Sequence, residues 1–377
     1  MNDYIQEIRK LLEAIPNIEP LRIETPVVIY GAGNSGCKAS ALLQEKGYSV
    51  LGFLDQHPKS TSIEEQPCIL PNSEQASQWC NLKATVVIAV MNPQADSHDV
   101  NQALSVFSWN RIIPFPHFVE LFHDQWGDHF WITHRDFYKD AAVRKVLLEI
   151  AERWEDQTSR DCFKAVLQTR FTGNLDPLDS HVRDNHQQQY FPNDIPDRPA
   201  PVNFVDCGAF DGDTLREIPR GKLKSIAAFE PDKKNFHALA LSAKGISEFE
   251  SNNIKVLLWP CGVWCESTSL NFNAVEEASS HLNESGKNTI SVVALDDALQ
   301  NYAPDFIKMD IEGAELEALK GASGIIEKHH PALAICVYHK PAHLWEILQL
   351  IDSWQCGYNF YLRAHQYNGL DVVLYAY

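Results

Sequence analysis

Asp206, Asp211 and Asp213 crowd a glycine-marked loop, Asp206-Cys207-Gly208-Ala209-Phe210-Asp211-Gly212-Asp213-Thr214, where an apolar run ends. Glycines at such a turn let the backbone come close to a ligand. Three carboxylates there oppose a pyrophosphate, so the fitting guest is a nucleoside without phosphates that carries positive charge. S-adenosylmethionine, with its sulfonium and ammonium groups, meets both conditions. Glu230 closes the next apolar run, 18 positions beyond Gly212, and is placed to accept the two ribose hydroxyls. The expected cofactor set is therefore Asp206, Gly208, Phe210, Asp211, Gly212, Asp213, Thr214, Glu230 and Pro231.

A second group lies in Phe306-Ile307-Lys308-Met309-Asp310-Ile311-Glu312-Gly313 and in His339. Ligands of a doubly wound sheet gather beyond the carboxyl ends of its strands, which is where Asp310 falls. Transfer of a sulfonium methyl requires an aligned nucleophile and a route for any proton it carries, and Asp310, Glu312 and His339 are the candidates to provide it. Lys308 shares a strand face with Asp310 and either pairs with an acid or steadies an oxyanion. The plainer alternative for Glu312 and Glu315 is to cap the helix that follows Gly313, and for Glu315 capping is preferred. Asp310 and Glu312 are also possible oxygen ligands for Mg²⁺, but no dense ligand cluster is visible, so a metal is left open. Cys261 has no histidine to activate it as a nucleophile. Tyr190 and Phe191 either close over a ligand or pack in the core.

The chain carries another glycine loop, Gly31-Ala32-Gly33-Asn34-Ser35-Gly36, with Asp55 ending the next apolar run. This GxGxxG lies between a strand pattern and a helix pattern, where it either receives a nucleotide or nucleotide-linked sugar or serves only helix packing.

These groups need two α/β frames to position them. Val27 to Tyr30, Tyr48 to Asp55, Ala84 to Val90 and Arg111 to Pro114 read as strands, with a helix over Lys38 to Lys46. A second series of apolar strands runs through 202–206, 225–230, 254–259, 306–310 and 332–338. Tyr358 to Leu362 and Val372 to Tyr375 form a terminal antiparallel hairpin. Helical periodicity covers Ala141 to Trp154, whereas 171–200 sustains no period and reads as a linker or lid. The expected division is an N-terminal helix over 1–25, a Rossmann-like unit over 26–120, a helical connector with a lid-like loop over 121–200, and the cofactor-binding unit over 201–377. The fold class is α/β, with two three-layer α/β/α units.

The 377 residues hold 32 Lys plus Arg against 50 Asp plus Glu, a formal charge of -18, which opposes nucleic-acid backbones and anionic lipid surfaces. The start of the chain is an amphipathic pattern unlike an export signal, and no run reaches the roughly 20 apolar residues of a membrane span. Nine scattered cysteines without a CxxC pair indicate neither a disulfide framework nor a zinc site, so a cytoplasmic setting is expected. The charge balance fits either a monomer or a dimer.

Phe204 to Thr214, Phe229-Glu230-Pro231-Asp232, Lys308-Met309-Asp310-Ile311-Glu312-Gly313-Ala314-Glu315 and Tyr338-His339-Lys340-Pro341 together resemble the FkbM-type methyltransferases over about 190–377. The resemblance implies a class I sheet and an S-adenosylmethionine-dependent O-methyltransferase acting on a hydroxyl of a sugar, glycan or natural product. It also implies that Cys261 and Gly262 lie where the loop passes the adenine. The N-terminal unit is similar, through Ile29 to Gly33 and Gly52 to Asp55, to Rossmann-type modules of bacterial sugar- and polysaccharide-modifying enzymes. Two rival readings stand beside this one. They are a nucleotide-dependent sugar oxidoreductase or epimerase built on the Gly31 loop, and a non-catalytic nucleotide-sugar-binding protein.

Overall fold

The structure, a computed structural model, describes residues 2–15, 22–182, 189–196, 198–249, 254–273, 281–282 and 288–377. Parts of the expected lid (183–188 and 197) and of the N-terminal proline-bearing stretch (16–21) lie outside the described residues. The chain divides into two compact units, one made of 1–151, 161–183 and 366–370, the other of 152–160, 184–365 and 371–377. The stretch 121–200 is thus shared out between them. No helix among the described residues is long and apolar enough to cross a membrane.

In the first unit, α1 (Asn2–Ala14) precedes β1 (Val27–Tyr30), α2 (Asn34–Glu45), β2 (Val50–Leu54), β3 (Ser62–Ile63), β4 (Gln66–Ile69) and α3 (Glu74–Asn81). Next come β5 (Thr85–Ile88), α4 (Ser97–Leu104), β6 (Arg111–Ile113), α5 (Phe115–Leu121), α6 (His123–Trp126) and α7 (Ala141–Ala151), then α8 (Gln157–Thr172) and α9 (Asp176–Asp179). The sheet order is β3-β4-β2-β1-β5-β6, parallel throughout except for the short β3 to β4 pairing. All four β1 residues are buried, as a continuous β-branched run in a parallel sheet requires. Helix α2 begins four residues earlier than its apolar period indicates, directly after Gly33, because the tight loop delivers the chain into helical geometry at once. Helix α7 stops at Ala151 rather than Trp154. Trp154 instead bridges to Phe360 in the second unit.

The second unit contains β7 (Asn203–Cys207), α10 (Asp213–Glu217), β8 (Ser225–Phe229), α11 (Lys233–Phe249), β9 (Lys255–Trp259), β10 (Gly262–Val263), β11 (Thr268–Asn273), β12 (His281–Leu282) and β13 (Asn288–Val293). They are followed by α12 (Leu295–Ala298), β14 (Phe306–Met309), α13 (Glu315–Lys320), α14 (Ser323–His329), β15 (Ala332–Cys336), α15 (His343–Ser353), β16 (Phe360–Ala364) and β17 (Val372–Ala376). The main sheet runs β16-β17-β15-β14-β7-β8-β9. Its strands are parallel up to β15, and β17 pairs antiparallel with both β15 and β16, as the terminal hairpin pattern predicts. A further sheet, β10-β13-β11-β12, is an addition that the sequence reading did not foresee.

Phe204, Val205, Ile226, Phe229, Phe306, Ile307, Leu333 and Ile335 are wholly buried in the main sheet, each worth roughly 1.5–3 kcal/mol over exposure. Within this apolar layer the register sets Asp206 of β7 directly beside Lys308 of β14. The strand order reverses at this pair, with β8 on one side of β7 and β14 on the other. Such a switch point opens a crevice at the carboxyl ends of the two strands.

Candidate functional site

The loop after β7 is built into that crevice. Gly208 has φ +81°, and a Cβ added there would stand 1.9 Å from the Asp310 carbonyl oxygen at the end of β14. Only glycine lets the two strand ends come this close. We expect Gly208→Ala to separate them, lowering the thermal midpoint by several degrees and removing cofactor affinity together, as read by a melting curve and a titration.

Glu230, just past β8, accepts from the Phe210 N–H at 3.0 Å and from the Asp232 N–H at 2.8 Å. Its carboxylate therefore braces the glycine loop while keeping lone pairs for hydroxyl donors. Burial pushes its pKa up to about 7, with the two N–H donors pulling the other way. Pro231 follows it, and the position of a Cβ on Gly262 would be 3.9 Å from Pro231 and 3.2 Å from Val292. Cys261 is buried, and burial raises its thiol to about 11, away from thiolate chemistry.

The three loop acids differ in their surroundings. Asp206 is wholly sealed, and Lys308 Nζ lies 3.0 Å from it while donating to the Gly208 carbonyl at 2.6 Å. Of the two expected roles for Lys308, the structure shows pairing with an acid, and Asp206 acts on the loop through Lys308. Asp211 pairs with Arg216 at 2.8 Å on the outer side. Asp213 is exposed and accepts from the Thr214 N–H at 2.7 Å, at the start of α10. Two of the three acids thus have basic partners, so the loop is less negative than its sequence indicates. Phe210 is 41% exposed beside Gly212, whose φ of +86° turns the chain into α10.

Beyond β14 a hydrogen-bonded network surrounds Asp310. The Tyr190 hydroxyl donates to Asp310 Oδ2 at 2.7 Å, while His339 Nε2 faces Asp310 Oδ1 at 3.4 Å and Glu312 Oε2 at 3.5 Å. On the other side of the ring, His339 Nδ1 meets Glu315 Oε1 at 2.9 Å, and His343 Nδ1 lies 3.2 Å from Glu315 Oε2. Glu315 also accepts from the Ile311 N–H at 2.9 Å and, more weakly, the Gly313 N–H at 3.4 Å. It therefore serves as a buried anchor for the loop and for two histidines, more than the helix cap its position indicates.

Burial alone would lower the pKa of His339, but Glu315, Glu312 and Asp310 outweigh it and push the ring up to about 10. The ring is then an imidazolium at neutral pH. Burial and the neighbouring Asp310, Glu315 and Asp371 carboxylates raise Glu312 to about 8 against the pull of His339. Asp371 is raised as well, chiefly by burial and then by Asp310. The side chains of Asp310 and Glu312 are 23% and 26% exposed against 2% for His339, so the carboxylates, not the ring, can meet a ligand.

Sequence reasoning missed the anchor role of Glu315 and the presence of His343 and Asp371 beside it. The His339-x-x-x-His343 spacing is the sequence signal that points to this pair. Of the aromatic pair, Tyr190 joins the site, whereas Phe191 packs on Phe204 and Phe306 with ring centroids 5.8 and 5.3 Å away. Arg363 on β16 holds this segment through Asp194 at 2.8 Å and itself leans on Asp156 and Ser159.

In the first unit, Asp55 accepts from the Ala32 N–H at 2.9 Å and the His57 N–H at 2.8 Å. This repeats the Glu230 arrangement. A Cβ on Gly36 would fall 2.0 Å from the Gly31 carbonyl oxygen, so Gly36 serves close packing of α2 on the loop, and a Cβ on Gly33 would meet nothing within 4 Å. Gly31 is pressed against Ala89 and Val90.

Asp310, Glu315 and His339 have donor atoms within 4.8 Å of one another, a grouping able to hold a metal ion. No curated protein matches the chain. Residues 206–360 match the family model of the methyltransferase FkbM domain. The crystal structure of methyltransferase FkbM from Methylobacillus flagellatus KT is similar with a TM-score of 0.77 and 22% identity, covering 100% of this chain and 98% of that one. The chain therefore shares the fold of that methyltransferase along its whole length, and its second unit contains a segment matching the FkbM methyltransferase domain.

Proposed function

We propose that the second unit is an S-adenosylmethionine-dependent O-methyltransferase acting on a hydroxyl of a sugar, glycan or related natural product. The observation that carries this reading is Glu230, fixed by two backbone N–H groups at the switch point, across the glycine loop from the Asp310 network. An anchored carboxylate beside a loop without a free basic side chain suits a ribose and a cationic centre better than a pyrophosphate. When bound, S-adenosylmethionine supplies an electrophilic methyl group on a sulfonium.

Glu230 would hold the ribose hydroxyls, with Phe210, Pro231, Cys261 and Gly262 about the base. Asp310 would accept the hydrogen of the acceptor hydroxyl and take its proton as the oxygen is methylated. Tyr190 donates to the other carboxylate oxygen and restricts its rotation. The His339 ring, held by Glu315 at 2.9 Å, faces the remaining carboxylate oxygen of Asp310 at 3.4 Å and fixes its orientation.

Calorimetric titration with S-adenosylmethionine and its demethylated product, followed by assays on hydroxylated acceptors, tests this reading. Asp310→Asn should lower methyl transfer by about 10²–10⁴-fold and leave cofactor affinity nearly unchanged. A folded wild-type protein that binds neither molecule would sink the assignment.

A further inference from the structure

We propose that a small buried cavity of the first unit, walled by His117, Arg135 and Arg170, is a binding site for a monatomic anion such as chloride. The cavity forms where α5, the chain after Trp131 and the end of α8 meet. Helix α5 contributes His117 and Glu120, and α8 contributes Arg170 with Gly173 just past its end. Gly173 has φ +67°, and a Cβ there would stand 2.4 Å from His117 Nε2, so glycine lets the chain close against the imidazole. Both guanidiniums are deeply buried, Arg135 being 7% and Arg170 5% exposed. Arg135 Nε donates to Glu120 Oε2 at 2.5 Å, but its Nη1 is sealed from solvent and meets no acceptor among the described residues.

The charges of the wall do not balance. Arg135 and Arg170 supply two positive charges, and Glu120, already bonded to Arg135, is the one acid among the described lining residues. A buried charge in excess is costly unless an opposite charge stands beside it. His117 does not supply one. Burial and then Arg135 hold its pKa below the ordinary histidine value, so the ring is neutral at pH 7. Glu120 and the Thr172 carbonyl pull the other way, the carbonyl from outside hydrogen-bonding geometry, for both ring nitrogens are buried without a partner. Other polar groups of the wall are committed elsewhere, since the Trp131 Nε1–H donates to the Asn368 carbonyl at 2.9 Å and the Thr133 hydroxyl to Asp128 at 2.8 Å. A guest therefore meets the Arg135 Nη1 donor, the His117 ring and a surplus positive charge. A water must place its own two hydrogens on acceptors, whereas a halide only accepts and brings the missing charge. The free space admits a guest of about one water's size, too small for phosphate or sulfate.

The test is titration of the full-length protein, exchanged into halide-free sodium gluconate, with sodium chloride at constant ionic strength. The line width of the chloride magnetic resonance signal and the melting midpoint are followed together. The wild type should broaden the signal saturably and melt higher as chloride is added, since an ion bound only by the folded state stabilises it. Arg135→Gln should weaken chloride at least about tenfold through loss of a charge-assisted hydrogen bond. His117→Gln, which keeps the guanidiniums and Glu120, is the milder variant should Arg135→Gln fail to fold, and it should weaken chloride severalfold. Circular dichroism shows which variants are folded. Crystals soaked in bromide should give an anomalous peak between Arg135 and His117. A folded wild type without saturable broadening overturns the proposal, as does undiminished binding in the folded variants or an ordered water in the cavity with no bromide peak. None of these outcomes depends on cofactor binding by the second unit.

Discussion

Replacing Glu230 with alanine should weaken S-adenosylmethionine binding at least about a hundredfold, because two hydrogen bonds to a charged acceptor, each worth roughly 1.5–3 kcal/mol, disappear together. The loss extends to the loop, whose Phe210 N–H no longer has its acceptor. Titration calorimetry against pH gives a sharper readout. With the carboxyl group raised to about 7 by burial, the wild type holds it increasingly protonated below that pH. A protonated carboxyl gives up an acceptor position and its charge, so affinity should fall as pH drops from 8 to 6, by up to about tenfold per unit below the pKa. Binding near neutrality should also release protons, detectable as a dependence of the measured heat on buffer ionisation enthalpy. Glu230→Gln should bind more weakly at high pH and show a flat profile. The effect on stability has the opposite sign. A carboxyl whose folded pKa lies above its unfolded value of 4.5 contributes stability at low pH that is lost as pH rises through about 7. A wild-type affinity independent of pH between 6 and 8 would remove Glu230 from the ribose position.

Lys308→Met should be the most damaging single change to the second unit's stability. It leaves Asp206, wholly sealed in the sheet, without its cation, and breaking one side of a buried pair costs about 3–5 kcal/mol. Burial already raises the pKa of Asp206 and Lys308 lowers it, so without the lysine the carboxyl takes up a proton on folding. At roughly 2–4 °C per kcal/mol for a unit of this size, the melting midpoint should fall by about 10 °C. Adding Asp206→Asn should recover most of that loss, since a neutral amide replaces the stranded charge. Cofactor affinity should not recover with it, because the bond from Lys308 Nζ to the Gly208 carbonyl remains absent. A double variant that regains both would show that Lys308 does not position the loop.

Much of the fold follows from short-range pattern. Val27 to Tyr30 and Phe306 to Met309 are continuous apolar runs, and such runs lie in buried parallel strands whichever partners they find. The glycine loops were equally legible, because a strand-to-helix turn that nears another backbone demands glycine whatever packs around it. The β11 and β13 pairing has a weaker local signal, since Thr268–Asn273 and Asn288–Val293 alternate polar and apolar residues over only part of their length, and long-range pairing decides it.

The chemistry of the site divides along the same line. Composition and local spacing determined by themselves that Asp310 and Glu230 would end strands beside glycine turns, because strand period and turn geometry are properties of a few consecutive residues. They could not determine that Lys308 would neutralise Asp206, that Tyr190 would hold Asp310, or that Glu315 would anchor both His339 and His343. Those partners are brought together by strand order, register and the return of distant segments to one sheet edge. Burial then decides their charges, and it depends on the assembled core rather than on any stretch of sequence.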